Sequence, residues 1–174
     1  MKNLSCIVTL IVVFAAANLH AGDLTLFGGV QKPEKLTLSN VGALITLNPA
    51  TFGTYGLRYS QGRIFGSETT LSYSPNFISS QNKALIFNTN FILHLPFPLV
   101  RPYGTVGLGT VYIGGDTLRT VTGGKFAINY GGGAKIKLGG PVGVQFDVRN
   151  YQLSSVGVER LNVLETSVGI VFSF

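Results

Sequence analysis

The stretch from Leu164 to Phe174 restricts the fold of this chain more than any other segment. Taken in twos from the end, Phe174, Phe172, Ile170, Val168, Thr166 and Leu164 form a bulky, mostly apolar set. The intervening Ser173, Val171, Gly169, Ser167 and Glu165 form a small or polar one. A period of two marks an extended strand with two chemically different faces. A tilted strand of about 9–11 residues is long enough to cross a bilayer. At the edge of an open sheet such a strand would recruit other chains, whereas in a closed barrel both of its sides are paired. The segment therefore predicts one stave of a membrane barrel.

Composition agrees. Only 11% of the 174 residues are charged, against about 25% in soluble domains, which is too few to solvate a globule. The 45% hydrophobic content excludes a disordered chain. The formal charge of +6 comes from scattered Lys and Arg without a basic run, so no nucleic-acid partner is expected.

Residues 1–21 read as an export signal. Lys2 supplies a positive start, Leu4 to Ala17 an apolar run, and Leu19-His20-Ala21 a cleavage site. The run is within the signal-peptide range and shorter than the roughly 20 residues of a membrane-spanning helix. Cleavage after Ala17 is the alternative. Cys6, the single cysteine, and His20 leave with this segment, so the mature chain holds no disulfide. The expected domains are a signal at 1–21 and a barrel at 22–174.

Alternation continues through the chain. Strands are predicted at Asp23–Gln31, Phe52–Gln61, Ile64–Tyr73, Ala84–Leu95, Arg101–Ile113, Lys125–Leu138, Val142–Tyr151 and Leu164–Phe174. Long connections at Lys32–Ala50, Ser74–Asn82, Gly114–Gly124 and Gln152–Leu161 alternate with short ones at Gln61–Arg63, Leu95–Val100 and Gly139–Pro141. Within the first, Leu36 to Leu47 has the pattern to extend its hairpin beyond the membrane. Pro96 and Pro98 stop a strand because proline cannot donate to a central ladder. The reading is an all-β, eight-stranded antiparallel up-and-down transmembrane barrel with four external loops and both termini periplasmic.

Charge decides which face turns inward. Arg58, Glu68, Lys135, Lys137, Asp147, Arg149 and Glu165 all fall on the face opposite the bulky apolar set. A Lys or Arg facing lipid at mid-bilayer costs about 2–4 kcal/mol, so the charged face lines the lumen. Arg58, Glu68, Asp147 and Arg149 are the expected lumen polar network. Arg58 and Glu68 are placed to pair across the Gly62 turn, with Asp147 and Arg149 joining from the far wall. Inward glycines such as Gly107, Gly109, Gly131 and Gly133 leave room for long side chains in a barrel this narrow. Buried charges must pair whatever the function, so a plugged lumen is favoured over a gated polar pathway. Tyr59, Phe65, Phe172 and Phe174 near one end, with Tyr73, Tyr112 and Phe126 near the other, suit interfacial aromatic girdles.

Other chemistry finds little footing. His94, the sole histidine of the mature chain, has no Ser and carboxylate fixed near it by spacing, as an esterase would need. One His and no Cys make a poor metal set. Gly131-Gly132-Gly133 precedes no helix, so it is not a phosphate loop. No catalytic residue, metal or cofactor is expected.

Three stretches resemble the outer-membrane beta-barrel domain family, the small eight-stranded bacterial barrels. They are Gly-Ser-Glu68-Thr-Thr-Leu-Ser-Tyr-Ser-Pro-Asn-Phe, Leu95-Pro-Phe-Pro-Leu-Val-Arg-Pro-Tyr103 leading into Gly-x-Gly, and Phe126-Ala-Ile-Asn-Tyr-Gly-Gly-Gly133 followed by Asp147-Val-Arg149. The resemblance spans the mature chain. It implies insertion in the Gram-negative outer membrane, with lipid as the surroundings. It also implies an assembly signal, Phe172 and Phe174, read by the barrel assembly machinery. It implies no single activity. The expectation is a monomeric, non-enzymatic barrel with a side-chain-filled lumen, serving structure or surface interaction through loops whose ligand is unknown. The alternative is a narrow passive conduit for small or hydrophobic molecules, and behind it a lipid-modifying enzyme.

Overall fold

A computed structural model describes residues 21–34, 36–40, 43–47, 51–77, 82–114, 123–156 and 159–174. The signal segment, apart from Ala21, and the middle of the Gly114–Gly124 loop lie outside the described residues. Ten strands occur among the described residues: β1 (Gly22–Pro33), β2 (Leu36–Asn40), β3 (Ala43–Leu47), β4 (Phe52–Gln61), β5 (Phe65–Ser74), β6 (Lys83–His94), β7 (Val100–Gly114), β8 (Gly123–Gly139), β9 (Val142–Val156) and β10 (Glu159–Ser173). Eight of them close into an antiparallel barrel in the order β1-β10-β9-β8-β7-β6-β5-β4. β2 and β3 form a separate two-stranded hairpin on the first long connection, where the alternation of Leu36 to Leu47 predicts an extension.

The barrel closes where the terminal strand predicts. β1 and β10 pair from Asp23↔Ser173 to Pro33↔Val163. The backbone N–H groups of Gly22 and Phe174 each donate to the other's carbonyl, at 2.9 and 3.0 Å. No edge remains in this sheet, so the apolar outer face stays on the barrel without templating a neighbour.

Strand limits move by a residue or two from expectation, with one larger difference. The span Gln152–Leu161, expected as a loop, is mostly strand: β9 runs on to Val156 and β10 starts at Glu159. Their register shifts between Glu159 and Leu161. The alternation there is interrupted by that irregularity, which hides the strand from a reading by twos.

Alternating burial separates the two faces. Leu26, Leu57, Leu71, Phe91, Val106, Leu108, Tyr130, Phe146, Val168 and Ile170 point outward and are exposed. Thr25, Arg58, Thr70, Asn90, Asn129, Gln145, Asp147 and Glu165 point inward and are buried. A polar inside with an apolar outside is the inverse of a soluble barrel and is the arrangement that lipid favours. Lys137 departs from its expected place: it is exposed at the short-turn end. The β8–β9 register shifts between Lys137 and Gly139, and this breaks the parity that would have turned Lys137 inward.

Three layers fill the interior. At the long-loop end Phe52, Phe77, Ile86, Val111, Tyr151, Leu153, Leu161 and Val163 belong to one apolar cluster, with Phe52 and Phe77 edge to face at 5.1 Å between centroids. Charged residues occupy the middle. Polar residues around Lys135 line the short-turn end. Gly62, Gly139 and Gly140 adopt positive φ of 103°, 152° and 54°, in the two tight turns that their sequence predicts.

Candidate functional site

The middle layer is one connected network. Arg58 donates through Nη2 to Glu165 Oε1 at 2.8 Å and to Ser167 Oγ at 3.0 Å, and lies 3.5 Å from Asp147 Oδ1. Its guanidinium sits 3.8 Å over the Phe27 ring on the intervening strand β1, a cation–π contact made in a desolvated place. Arg149 grips Asp147 with two bonds, Nε to Oδ1 at 2.6 Å and Nη2 to Oδ2 at 2.9 Å. The same guanidinium reaches Glu68 Oε1 at 2.6 Å. All five charged side chains are essentially excluded from solvent.

The four residues expected to form the lumen network, Arg58, Glu68, Asp147 and Arg149, therefore do meet. Their partnership differs from expectation in one respect. Arg58 does not pair with Glu68; Arg58 takes Glu165, and Glu68 takes Arg149. Register is the reason: Arg58 lies opposite Thr70, and Glu68 opposite Ser60, so the two charges are offset along the hairpin. Both arginines reach across the lumen instead.

Neutral groups extend the network. Gln31 Nε2 donates to Glu165 Oε2 at 2.6 Å, and Ser74 Oγ to Gln31 Oε1 at 3.0 Å. The Tyr103 hydroxyl donates to Asp147 and accepts from Gln145 Nε2 at 2.6 Å. Gln145 in turn accepts from Thr25 Oγ1 at 2.8 Å. Towards the short turns Lys135 Nζ bonds Asp23 Oδ2 at 2.8 Å and Ser60 Oγ at 2.6 Å.

Glycine makes these crossings sterically possible. Tyr103 lies opposite Gly133, and Gly133 opposite Asp147. A Cβ on Gly133 would fall 2.7 Å from the Tyr103 hydroxyl oxygen. The tyrosine thus crosses one strand over a residue with no side chain to reach the next. Arg149 lies opposite Gly131 in the same manner, with its Cγ 3.0 Å from where a Cβ would be.

Sequence reasoning placed Glu165 on the inner face but not in the network, and passed over Tyr103, Gln31 and Gln145. Parity was the available signal for each. Their partners depend on cross-strand register, which parity does not supply. His94 is buried with its ring 5.7 Å from that of Tyr103. Neither of its ring nitrogens has a hydrogen-bond partner among the described residues. Those residues hold no cluster of three or more His, Cys, Asp or Glu able to bind a metal. Phe172 and Phe174 sit outward on the closing strand, Phe174 stacked on Tyr59 at 6.4 Å.

This closed, polar-cored, apolar-coated barrel has relatives. Residues 6–174 match the outer membrane protein beta-barrel domain family, so the chain belongs to that family and resides in the cell outer membrane. Among solved structures it is similar to Neisserial surface protein A, with a TM-score of 0.70 and 12% identity over 89% of this chain and 99% of that one. It is similar to the outer membrane enzyme PagL, with a TM-score of 0.52 and 14% identity over 86% and 98% of the two chains. The attachment invasion locus protein Ail of Yersinia pestis gives a TM-score of 0.50 and 13% identity over 88% and 99%. Among curated proteins there is no match. Identities this low speak for the shared fold alone, and a fold shared by a surface protein and an enzyme does not name a job.

Proposed function

We propose that this protein is a non-enzymatic, monomeric outer-membrane barrel whose lumen is closed by its own side chains, and whose role is structural or one of surface interaction through its long loops. The carrying observation is the layered interior. An ion crossing it would have to part Arg58 from Glu165 and Arg149 from Asp147 and Glu68. It would then pass the apolar layer that includes Phe52, Phe77 and Leu153. Breaking a buried ion pair costs about 3–5 kcal/mol, and an apolar layer offers a bare ion no replacement for its hydration. The lumen chemistry thus supports a plug over a conduit.

His94 supports the non-enzymatic side. A catalytic histidine needs one nitrogen held by an orienting group and the other facing a nucleophile, and both nitrogens of His94 lack a partner among the described residues. A cleaved signal at 1–21 and an assembly signal in Phe172 and Phe174 complete the reading.

Purified protein in planar lipid bilayers tests the plug. The expected outcome is no steady conductance, and reproducible channel steps would overturn it in favour of the conduit. A carboxylester assay on lipid substrates, with His94→Ala as control, tests the enzyme alternative. Turnover lost in that variant would establish it.

A further inference from the structure

We propose that the inner wall made by β5 to β9 is a binding site for water, a short chain of molecules running from Glu68 to Tyr151. The register places Glu68 opposite Asn90, Asn90 opposite Gly107, Gly107 opposite Asn129 and Asn129 opposite Tyr151. One row of paired positions therefore crosses five strands. Beside it, Thr70 lies opposite Asn88 and Asn88 opposite Gly109. All the side chains of these two rows named here are at most 1% exposed.

Their hydrogen-bonding capacity is largely unused. Glu68 Oε2, Thr70 Oγ1, both amide atoms of Asn88 and of Asn129, Asn90 Oδ1 and the Tyr151 hydroxyl have no partner among the described residues. Buried polar groups in folded proteins are nearly always paired, with protein or with ordered water. Protein cannot complete these pairs. The centre of the wall is Gly107 and Gly109, which offer no side chain. Asn90 and Asn129 stand on either side of β7, about 10 Å apart at Cα by the usual strand spacing. That is too far for two short amides to meet and suits a bridging molecule with 2–4 polar partners.

Charge points the same way. In the middle layer two guanidinium groups, Arg58 and Arg149, face three carboxylates, Glu68, Asp147 and Glu165. An uncompensated buried charge is tolerated only where dipoles solvate it. Glu68, whose Oε2 is unpartnered, is the carboxylate that opens onto this wall. Water fits better than a metal cation, because Arg149 Nη2 already lies 2.6 Å from Glu68 Oε1 and would repel one. Tyr151 belongs to the apolar cluster at the long-loop end while its hydroxyl is left unpaired, so it marks where the water chain stops. The site holds water without making the lumen a conduit.

Radiolytic footprinting in heavy-oxygen water tests this on the full chain in lipid nanodiscs. Hydroxyl radicals formed from bound water should label Tyr151 despite its burial, while Leu153, two residues on and within the apolar cluster, stays at background. Asn129→Leu should reduce Tyr151 labelling severalfold and lower the urea midpoint, because it removes a group that water bridges. Tyr151 at background in the unaltered protein would overturn the proposal, whether or not the variant folds. A raised midpoint in Asn129→Leu would do the same, since filling a dry wall with an apolar group stabilises it. A midpoint that falls when sodium is replaced by N-methylglucamine at constant ionic strength would put a cation in the site and also overturn it. Conductance is measured separately, so failure here leaves the closed-lumen reading to its own experiment.

Discussion

Arg149 holds two carboxylates at once, and Asp147 is held in turn by Tyr103 and both arginines. Removing one member leaves the others charged in a closed interior. Arg149→Ala is expected to cost about 3–5 kcal/mol, measured by urea unfolding in lipid vesicles. Adding Glu68→Gln should restore part of that loss, because it removes the carboxylate left without its cation; no recovery would mean that the pair is not coupled. Glycine matters as much as charge at this scale. A Cβ on Gly107 would fall 1.8 Å from Asn90 Oδ1 and 2.5 Å from the Thr89 carbonyl oxygen, whereas one on the outward Gly104 would meet nothing within 4 Å. Gly107→Ala should therefore destabilise by about 1–3 kcal/mol and Gly104→Ala hardly at all. Equal effects would show that backbone propensity, and not the crossing Asn90, selects glycine at Gly107.

At the level of elements, β10 makes the closure. Its pairing with β1 uses almost the whole of both strands, and the last residue adds two backbone hydrogen bonds with Gly22 and a ring against Tyr59. Each hydrogen bond contributes about 0.5–1.5 kcal/mol, a small part of a barrel's stability. Deleting Phe174 is thus expected to shift the unfolding midpoint of already folded barrel only slightly. Outer-membrane levels should fall much further, if the terminal aromatic is what the assembly machinery reads. Unchanged levels by membrane fractionation would remove the assembly role of Phe172 and Phe174. The β8–β9–β10 side of the barrel carries the longer strands, of 17, 15 and 15 residues against 10 each in β4 and β5, so the wall is taller on that side.

For the molecule as a whole, chemistry is layered along the barrel axis: apolar cluster, charged network, then the Lys135 group. This order makes the two ends unlike, with the apolar layer next to the long connections and the polar one next to the tight turns. An orientation with long loops outside predicts that a tag inserted near Asp116 is labelled on intact cells. Labelling only after the outer membrane is breached would reverse the topology.

Alternation by itself determined the barrel, its eight staves, the inward turn of Arg58, Glu68, Asp147 and Arg149, and the pairing of the last strand with the first. Parity is a local property of the chain, and the cost of charge in lipid tells its two faces apart. Only the tertiary structure decided who pairs with whom. Arg58 with Glu165, Arg149 with both Glu68 and Asp147, and Tyr103 over Gly133 all depend on the stagger of neighbouring strands and on reach across a lumen. The shift at Lys137–Gly139 turned one lysine outward, and that at Glu159–Leu161 concealed strand within a supposed loop. Both are single-residue irregularities, and in a fold with a period of two one residue is enough to reverse every assignment beyond it. The terminal strand is legible because nothing interrupts its alternation from Leu164 to Phe174. The network it helps to enclose is not, because its contacts join residues more than a hundred positions apart in the chain.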